Sequence, residues 1–348
     1  MQKNQLIKEI EDRLGIDYKG FLEEIDDANF IGQRFLPVEN VYDYDWVADI
    51  FDNTHAVAKM KARGDAEAPI IGGPAVKKVS GSIVPFGQKF QVNKSVLNKI
   101  FNPRNDNELK SNLRRILDES ARNVRAAIAR REWLTWRFLA DGVIKISEGD
   151  IELEVDMGIP EANKLAHATA SEIAQAWDHE SAEPIEDLIR LCERYFTIND
   201  QMPDTILMRR STLLKLLNAT DTKHDDDGKG LKSLAEVNAY LGRLGMNYPS
   251  ISTYDEFVRF EDSMGRPTTI YHLIPQDRVV FLKNAGGGSA LDLDIGRFLM
   301  GPVAENGFQP GVFVDIMEET DPAKYWHYMS CEMWPAGYNP EYIMYADV

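Results

Sequence analysis

Cysteine is scarce in this 348-residue sequence, which contains only Cys192 and Cys331. Two cysteines in a chain of this length do not form a disulfide framework, so we expect both to be reduced thiols of a protein made in a cytoplasm. Long apolar runs are absent as well, since none reaches the roughly 18–20 residues that span a bilayer. The N-terminus, Met1 to Ile10, is polar and lacks the apolar core of a signal peptide. The sequence therefore predicts no membrane association.

Motifs for catalysis and cofactor binding are also missing. Neither a Walker loop nor a Gly-x-Ser-x-Gly nucleophile elbow occurs. The three glycines at 286–288 do not stand between a strand and a helix, as a dinucleotide-binding loop requires, and they predict a simple loop. No two carboxylates are marked by their spacing as an acid–base pair. The sequence thus predicts no catalytic residue and no cofactor.

Metal-ligand patterns are weak. The six histidines stand apart from one another, and neither cysteine has a second ligand at metal-binding spacing. The run Asp225, Asp226 and Asp227 before Gly228 suggests a calcium loop, but in the EF-hand register a lysine and a leucine occupy the first and twelfth positions, where oxygen ligands belong. We expect a solvated loop and no metal, with a weak cation site shared by several copies around a symmetry axis as the alternative.

Charge is plentiful and unevenly distributed. The chain has 56 acidic and 39 basic residues and a formal net charge of -17, which argues against tight wrapping of nucleic acid through phosphate contacts. Residues 1–50 are acidic, residues 51–140 are basic and residues 141–348 are strongly acidic. A basic segment between two acidic ones is either chance or a sign of contacts between opposite charges on different copies.

The strongest local signal is one very long helix. Between Glu108 and Ala140 there is no proline or glycine, and apolar residues recur at three- and four-residue steps. Asn105 with Glu108 resembles a capping box, and Gly142 predicts the end. A helix of this length, about 50 Å, needs a partner surface along most of its extent. We expect its basic face to pack on acidic neighbours rather than on phosphate, because the whole chain is acidic.

The N-terminal region is different in character. Residues 4–14 predict a short acidic amphipathic helix, and residues 29–50 predict an extended arm with little core of its own. Strands are expected at 56–62 and 77–92, joined by a tip that is rich in Gly, Ala and Pro. Because an isolated hairpin is marginal in water, this two-stranded excursion implies support from another surface.

The remainder of the chain alternates short strands and helices, and the coarse class is α+β. A hairpin is predicted at 143–146 and 151–155, and a helix at 171–197 with an interruption near Pro184. Further strands are expected at 205–208, 249–253, 257–260, 268–273, 278–282, 311–317, 325–333 and 342–346, and further helices at 211–218 and 234–244. No period of 20–50 residues repeats, which disfavours solenoids and propellers.

The order of these elements, together with several short segments, resembles a known family. The segments are 130–134 (RREWL), 139–146 (LADGVIKI), 154–158 (EVDMG), 273–275 (LIP), 277–282 (DRVVFL), 321–323 (DPA), Pro335 and 339–341 (NPE). In this order they resemble the tailed-phage major capsid proteins, in the lambda-type branch or capsid protein E family, whose fold is the Hong Kong 97-type capsid fold. The segments extend from about residue 130 to the C-terminus, and the arm and hairpin agree in pattern only.

The resemblance implies a map of the chain. An N-terminal arm at 1–50 and an extended loop at 51–95 would precede a peripheral domain at 96–159 and 284–335, with a spine helix at about 106–140. An axial domain would comprise 160–283 and 336–348.

The resemblance also implies a function that is structural and not enzymatic. Copies would assemble in the host bacterial cytoplasm as hexamers and pentamers of an icosahedral head around double-stranded DNA. The expected partners are further copies of the chain, a separate scaffolding protein, the portal, and packaged DNA through weak non-specific proximity, with a decoration protein left open. The mature location would be the virion capsid.

Contacts between copies would then use charged residues of the hairpin, the long helix and the acidic loop. The candidates are Lys59, Lys61, Arg63, Lys77, Lys78, Lys89, Arg114, Arg115, Arg122, Arg125, Asp225, Asp226 and Asp227. Some family members crosslink an extended-loop lysine to an asparagine of a neighbour, and Lys77, Lys78 and Lys89 are available for this. The lambda-type branch is not expected to use such a crosslink.

Three alternatives stay open at this point. An encapsulin-like nanocompartment shell protein would share the fold and enclose cargo proteins instead of DNA. A cytosolic α+β enzyme with an unrecognised site would be a compact monomer. A phage tail or connector protein would form rings rather than closed shells.

Overall fold

The computed structural model of this chain describes residues 5–26, 29–51, 76–148, 151–219, 222, 231, 233–244, 248–261, 266–285, 294–320 and 323–348. The α-helices are α1 (Gln5–Leu14), α2 (Tyr18–Glu23), α3 (Lys94–Phe101), α4 (Asp106–Trp136), α5 (Pro184–Asn199), α6 (Arg210–Asn218) and α7 (Leu234–Arg243). The strands are β1 (Val38–Asn40), β2 (Asp45–Phe51), β3 (Val76–Ser82), β4 (Val84–Gln91), β5 (Val143–Glu148), β6 (Ile151–Asp156), β7 (Lys164–Ala166), β8 (Thr205–Met208), β9 (Ser250–Thr253), β10 (Phe257–Glu261), β11 (Pro267–His272), β12 (Arg278–Leu282), β13 (Gly296–Met300), β14 (Pro302–Val303), β15 (Gln309–Pro310), β16 (Val312–Thr320), β17 (Ala323–Gly337) and β18 (Ile343–Asp347).

Helix α4 is the long helix that the sequence predicts. Asn105 caps it, because its side-chain Oδ1 accepts a hydrogen bond from the Glu108 N–H at 2.8 Å. The Glu108 carboxylate accepts from the N–H of Arg104 and not from that of Asn105, so the reciprocal bond of a capping box is absent. After 31 α-helical residues the chain makes one π-helical turn, Arg137–Asp141. It ends at Gly142, whose φ of 70° lies in the left-handed region that favours glycine.

The first sheet has the strand order β1-β13-β17-β16, and β4 also pairs with β17. β17 is the central strand: its first two thirds lie between β16 and β4, and its last residues pair with β13. Helix α4 contacts β16 and β17. The inward-facing positions of β17 alternate and include His327, Met329, Cys331 and Met333, all of which are buried. The long helix therefore receives its partner surface from the sheet of its own chain.

The second sheet has the order β7-β18-β12-β8-β9. Its central strand β12 is antiparallel to β8 and β18 and is buried on both faces. Val279 and Phe281 pack into a core with α5, α6 and α7. Val280 and Leu282 alternate with them and join the core that contains the C-terminal part of α4 and the first sheet. One short strand thus connects the two cores.

The N-terminal helices α1, α2 and α3 form a third cluster on the first half of α4. Leu6, Ile10 and Tyr18 are at most 1% exposed and pack with Leu113 and Ile116 of α4. The apolar positions of α1 recur at three- and four-residue steps, which explains why this short acidic segment folds as a helix. Residues 5–26 therefore have a docking surface within the same chain.

Two-stranded hairpins are formed by β2–β3, β5–β6 and β10–β11. The single strand expected at 77–92 is two strands in the structure, β3 and β4. Between them the buried Ile83 donates its N–H to the Tyr44 carbonyl, and the chain passes from the hairpin into the first sheet. The partner of β3 is β2, which the sequence assigned to the arm, and the strand expected at 56–62 lies outside the described residues.

The helix predicted from residue 171 begins only at Pro184, its first residue. Residues 171–183 form turns around the buried Trp177, whose indole N–H donates to the Asp187 carboxylate at 3.1 Å. Proline suits the first turn of a helix because its missing N–H is not needed there, and it disfavours helical backbone before it. Pro184 therefore explains where α5 begins, and the prediction of a helix for 171–183 was wrong because the apolar residues there pack in turns around Trp177. Among all the helices that the structure describes, none is both long and apolar enough to cross a membrane.

Candidate subunit-contact surfaces

The two faces of α4 have opposite character. The apolar face packs on the first sheet and on α1–α3, whereas the other face carries exposed cations. The four helix candidates Arg114, Arg115, Arg122 and Arg125 are all exposed, as is Lys110. They lie on the solvent side because residues three, four and seven apart share a helix face. The structure thus brings these candidates together on one surface.

The first third of α4 carries a groove that we call the basic groove. It is open, has a volume of about 440 Å³, and is lined by Asn107, Lys110, Ser111, Arg114, Arg115 and Asp118. Arg115 Nε lies 3.0 Å from Glu119 Oε1, one turn along the helix. Within the described residues, no ion pair occupies Lys110 or Arg114. The groove therefore presents a net positive charge to solvent, since Lys110, Arg114 and Arg115 outnumber the one lining carboxylate, Asp118.

Further along α4, the arginines already have acidic partners in the same chain. Arg122 Nη2 lies 2.6 Å from both carboxylate oxygens of Glu261 on β10. Arg130 Nη1 donates to Glu148 at the end of β5 at 2.6 Å. These pairs confirm for this part of the helix the expectation that the basic face packs on acidic neighbours. They also hold the hairpins β5–β6 and β10–β11 against α4.

The lysine candidates lie on β3 and β4. Lys89 is exposed on β4, and its Nζ lies 5.2 Å from the centroid of the Trp326 ring on the adjacent strand β17. Lys77 and Lys78 lie on β3, opposite Ile50 and Asp49 of β2. The remaining candidates, Lys59, Lys61, Arg63, Asp225, Asp226 and Asp227, lie outside the described residues, as do the glycines at 286–288.

A buried polar chain connects α2, α4 and β17, and sequence reasoning missed it. The Tyr18 hydroxyl donates to Ser120 Oγ at 2.9 Å, and Ser120 Oγ lies 3.0 Å from His327 Nδ1. His327 Nε2 lies 3.2 Å from Glu119 Oε2, and the imidazole is fully buried. The contact with His327 lowers the pKa of Glu119, outweighing the effect of partial burial. The sequence signal for this polar chain was that His327 occupies one of the alternate positions of β17 that face the core.

A second buried group lies near the C-terminal end of α4. Oε1 of Glu132 accepts hydrogen bonds from the Trp136 indole at 2.7 Å, the Tyr254 hydroxyl at 2.8 Å and the Gly32 N–H at 2.9 Å. Desolvation raises the pKa of Glu132, although these donors act in the opposite direction. Ile128, Glu132 and Trp136 are spaced four residues apart and lie on one buried stripe of α4. A charged residue on that apolar stripe was the signal in the sequence for this site. The carboxylate ties the arm and the β9–β10 connection to the spine helix.

An ion cluster around Arg278 joins the second sheet to the π-helical turn that follows α4. Its Nε and Nη2 donate to the two carboxylate oxygens of Asp347 at 2.6 and 2.8 Å, and Nη1 donates to Asp141 at 2.9 Å. The guanidinium also lies 4.4 Å from the centroid of the Tyr345 ring. A bidentate pair of this kind fixes orientation as well as distance. The end of α4 is thereby held to β12 and β18.

Nothing in these contacts has the form of a reaction centre. Both cysteines are buried, and burial raises the pKa of each thiol to about 12, so neither is a reactive thiolate at neutral pH. Within the described parts of the chain, no group of three or more His, Cys, Asp or Glu residues is arranged to hold a metal ion. Exposed apolar side chains are instead found on the arm and hairpin, where Tyr42 is 67% and Val47 is 68% exposed.

The chain matches one known protein family over most of its length. The sequence profile of the family described as phage major capsid protein E matches residues 27–348, which is nearly the whole chain. The chain belongs to this family. The capsid protein is therefore a structural component of the phage shell, and its place is the virion capsid. This confirms the resemblance found in the sequence. A search of curated protein sequences gave no match.

Two solved structures have the same fold. One is described as the capsid protein of a prophage in Escherichia coli CFT073, with a TM-score of 0.58, 15% identity, and coverage of 95% of this chain and 97% of that one. A second is a phage-related protein from Bordetella bronchiseptica RB50, with a TM-score of 0.57, 10% identity, and coverage of 95% of each chain. The capsid protein thus has the expected Hong Kong 97-type fold. The family match favours a phage head over an encapsulin-like shell.

Proposed function

We propose that the capsid protein assembles into hexamers and pentamers of an icosahedral head that encloses double-stranded DNA. The observation that carries this proposal is the exposed apolar surface of the arm and of the hairpin β2–β3. Tyr42, Tyr44 and Val47 are 43–68% exposed in the single chain. An exposed patch of large apolar side chains on an extended segment marks a protein contact, because leaving it in water is unfavourable. Neighbouring copies would cover it.

The domain map proposed for this assembly is the one given by the family. Residues 1–50 act as the N-terminal arm, 51–95 as the extended loop, 96–159 and 284–335 as the peripheral domain, and 160–283 with 336–348 as the axial domain. The two cores that meet at β12 support a division into two lobes. The pairing of β2 with β3 suggests that the loop begins at about Asp45 rather than at residue 51.

The charge pattern supports electrostatic contacts between copies. In this proposal Lys59, Lys61, Arg63, Lys77, Lys78 and Lys89 of the extended loop face acidic surfaces of a neighbour, and so do Arg114 and Arg125 of the spine helix. Arg115 and Arg122 share their charge with Glu119 and Glu261 in their own chain. Asp225, Asp226 and Asp227 are proposed acidic partners at a capsomer axis. Complementary charges of this kind select the partner and register more than they add affinity.

Other components complete the proposed head. A separate scaffolding protein directs assembly in the host bacterial cytoplasm, the portal occupies one vertex, and packaged DNA touches the inner surface weakly and without sequence preference. The net charge of -17 supports weak contact, since an acidic wall repels phosphate. We propose a purely structural role without catalysis.

Electron microscopy of the expressed capsid protein, alone and together with the scaffolding protein, tests this function. We expect closed or partly closed shells, whose DNA content after packaging separates a phage head from a protein-filled compartment. Persistent compact monomers near 39.5 kDa in solution would overturn the proposal. Rings without closed shells would instead support a tail or connector role.

A further inference from the structure

The hairpin β5–β6 carries a row of carboxylates on its solvent face. Glu152, Glu154 and Asp156 alternate along β6 and are exposed, whereas Leu153 and Val155 between them are half-buried against the core. We call Glu152, Glu154 and Asp156 the acidic row. Glu154 pairs with Lys145 across the hairpin at 2.8 Å, but both side chains remain more than 60% exposed. Glu152 forms no ion pair within 4 Å among the described residues.

The acidic row cannot reach the basic groove of its own chain. The Arg130–Glu148 contact fixes the tip of the hairpin at the level of Arg130 on α4. The nearest cation of the groove, Arg115, lies fifteen residues earlier, which is about 22 Å along the helix axis at ~1.5 Å per residue. The remaining hairpin residues lie further toward the C-terminal end of α4, because β5 starts directly after Gly142. One chain therefore presents two surfaces of opposite net charge that it cannot join itself.

We propose that the acidic row of one capsid protein docks into the basic groove of a second copy. The contact is heterologous, because it joins two different surfaces, and it therefore propagates from copy to copy until a ring or shell closes. This inference rests on the proposed assembly function and assigns one of its contacts. The occupant is a second copy because each copy carries both complementary surfaces and hundreds of copies meet during assembly.

The spacings of the two surfaces agree. Alternate residues of a strand lie about 6.8 Å apart, so Glu152 and Glu154 are separated by about that distance. Residues four apart on a helix are separated by about 6 Å, which is the spacing of Lys110 and Arg114. Two ion pairs, Glu152 with one cation and Glu154 with the other, can therefore form together. Asn107 and Ser111 at the margin of the groove supply neutral hydrogen-bonding groups beside them.

Charge reversal followed by rescue tests the contact. The double variants Glu152→Lys/Glu154→Lys and Lys110→Glu/Arg114→Glu should each need at least about tenfold more protein to form shells, by light scattering and electron microscopy. All four substitutions in one chain should restore assembly, because the pairs are re-formed with reversed sign. An equimolar mixture of the two double variants should also assemble better than either alone. The wild-type contact should weaken as salt rises from 0.05 to 0.5 M, as the Debye length falls to roughly 4 Å.

A matched control is Glu186→Lys/Glu193→Lys on α5, which makes the same change of net charge at two exposed positions away from the acidic row. It should assemble like the wild type. Circular dichroism and thermal unfolding of unassembled subunits establish that each variant folds, and the milder Glu152→Gln/Glu154→Gln and Lys110→Gln/Arg114→Gln variants replace any that does not. Normal assembly of the reversed variants, or loss without rescue in the fourfold variant, overturns this contact while leaving shell formation intact. A wild-type protein that forms no shells overturns the assembly function itself.

Discussion

At the scale of single residues, the polar chain from Tyr18 to Glu119 is the least expected feature of the capsid protein. It passes through Ser120 and His327 and joins an N-terminal helix, the spine helix and the central strand of the first sheet. The ring of Phe90 lies 4.8 Å from that of His327 and shields it from solvent. A buried polar network of this kind costs free energy unless its members are paired, so it specifies one packing of these three elements.

The pKa of Glu119 makes this network sensitive to acid. Since its native pKa lies below the value of about 4.3 for an unfolded chain, the ionised carboxylate stabilises the fold above that pH. This stabilisation is lost as the pH falls through the native pKa. We expect Glu119→Gln to lower the free energy of unfolding by about 1 kcal/mol at pH 7, a value reduced for solvent screening. The difference from wild type should shrink as the pH falls below about 4.3, in urea unfolding of unassembled subunits followed by tryptophan fluorescence.

Glu186→Gln, at an exposed position on α5, is the control for removal of one carboxylate. It should stay within a few tenths of a kcal/mol of the wild type at neutral and at acid pH. A Glu119→Gln deficit that does not change at all on acidification would contradict the assignment to ionisation. A variant as stable as wild type at pH 7 would show that the contact with His327 contributes nothing.

At the scale of elements, the hairpin β10–β11 extends from the second sheet back onto helix α4. Two kinds of contact hold it there. In the Arg122–Glu261 pair one nitrogen, Nη2, contacts both carboxylate oxygens, but the side chains are 59% and 44% exposed. The aromatic contact is less exposed to solvent than the ion pair. The ring of Phe260 lies edge-on to those of Trp133 and Tyr271, with centroid distances of 5.4 and 5.1 Å. Exposed ion pairs contribute 0 to about 1 kcal/mol, so the aromatic contact should dominate.

Substitution of each contact separates the two contributions. Phe260→Ala should cost about 2 kcal/mol, less than a fully buried phenylalanine, and should speed hydrogen exchange of the amides at 257–261 and 267–272. Arg122→Ala should cost less than about 1 kcal/mol and leave that exchange almost unchanged. Ile270→Ala, on the same hairpin but 55% exposed, is the control and should behave like wild type. Equal effects of Arg122→Ala and Phe260→Ala would contradict the ranking.

Elements with a strong local signal were predictable from the sequence. Helix α4 has an uninterrupted apolar period and a capping asparagine, and its bounds agree with the prediction to within a few residues. Residues 171–183 were mispredicted because their apolar spacing comes from turns that wrap Trp177, a tertiary effect. The division of 77–92 into two strands depends on Ile83 and its bond to Tyr44, a contact between distant residues. Local periodicity does not contain such information.

At the scale of the whole molecule, the structure shows which of the basic residues are paired within their own chain. Basic residues are in excess at 51–140. In the described part of this segment, some of them pair with carboxylates of their own chain and others do not. Arg122 and Arg130 are neutralised by hairpins of their own chain, whereas the basic groove and Lys89 remain available. The buried position of Glu132 had a signal in the sequence, but two of its donors could not be foreseen, because Gly32 and Tyr254 lie 100 and 122 residues from it. Net charge alone therefore overstates how many cations can contact a neighbour.

The extended-loop lysines give the remaining test of this pattern. Lys77→Glu, Lys78→Glu and Lys89→Glu in one chain replace three positive charges with negative ones on a surface proposed to face an acidic neighbour. We expect shell yield to fall at least about tenfold, because every subunit would carry the same repulsion. The unassembled subunit should keep its circular dichroism and thermal unfolding temperature, since Lys78 and Lys89 are exposed and substitutions at exposed positions usually change the free energy of unfolding by less than about 0.5 kcal/mol. Shell yield is measured by sedimentation and electron microscopy.

Lys8→Glu, Lys94→Glu and Lys99→Glu form the matched control, because these lysines are exposed on α1 and α3 and the change of net charge is the same. A defect common to both triple variants would mean that total charge, and not the loop surface, limits assembly. A defect confined to the loop variant, relieved by raising the salt concentration, would place the repulsion at the loop. Normal shells from the loop variant would discard the electrostatic role of these three lysines and leave the exposed Tyr42, Tyr44 and Val47 as the principal contact of the arm and loop.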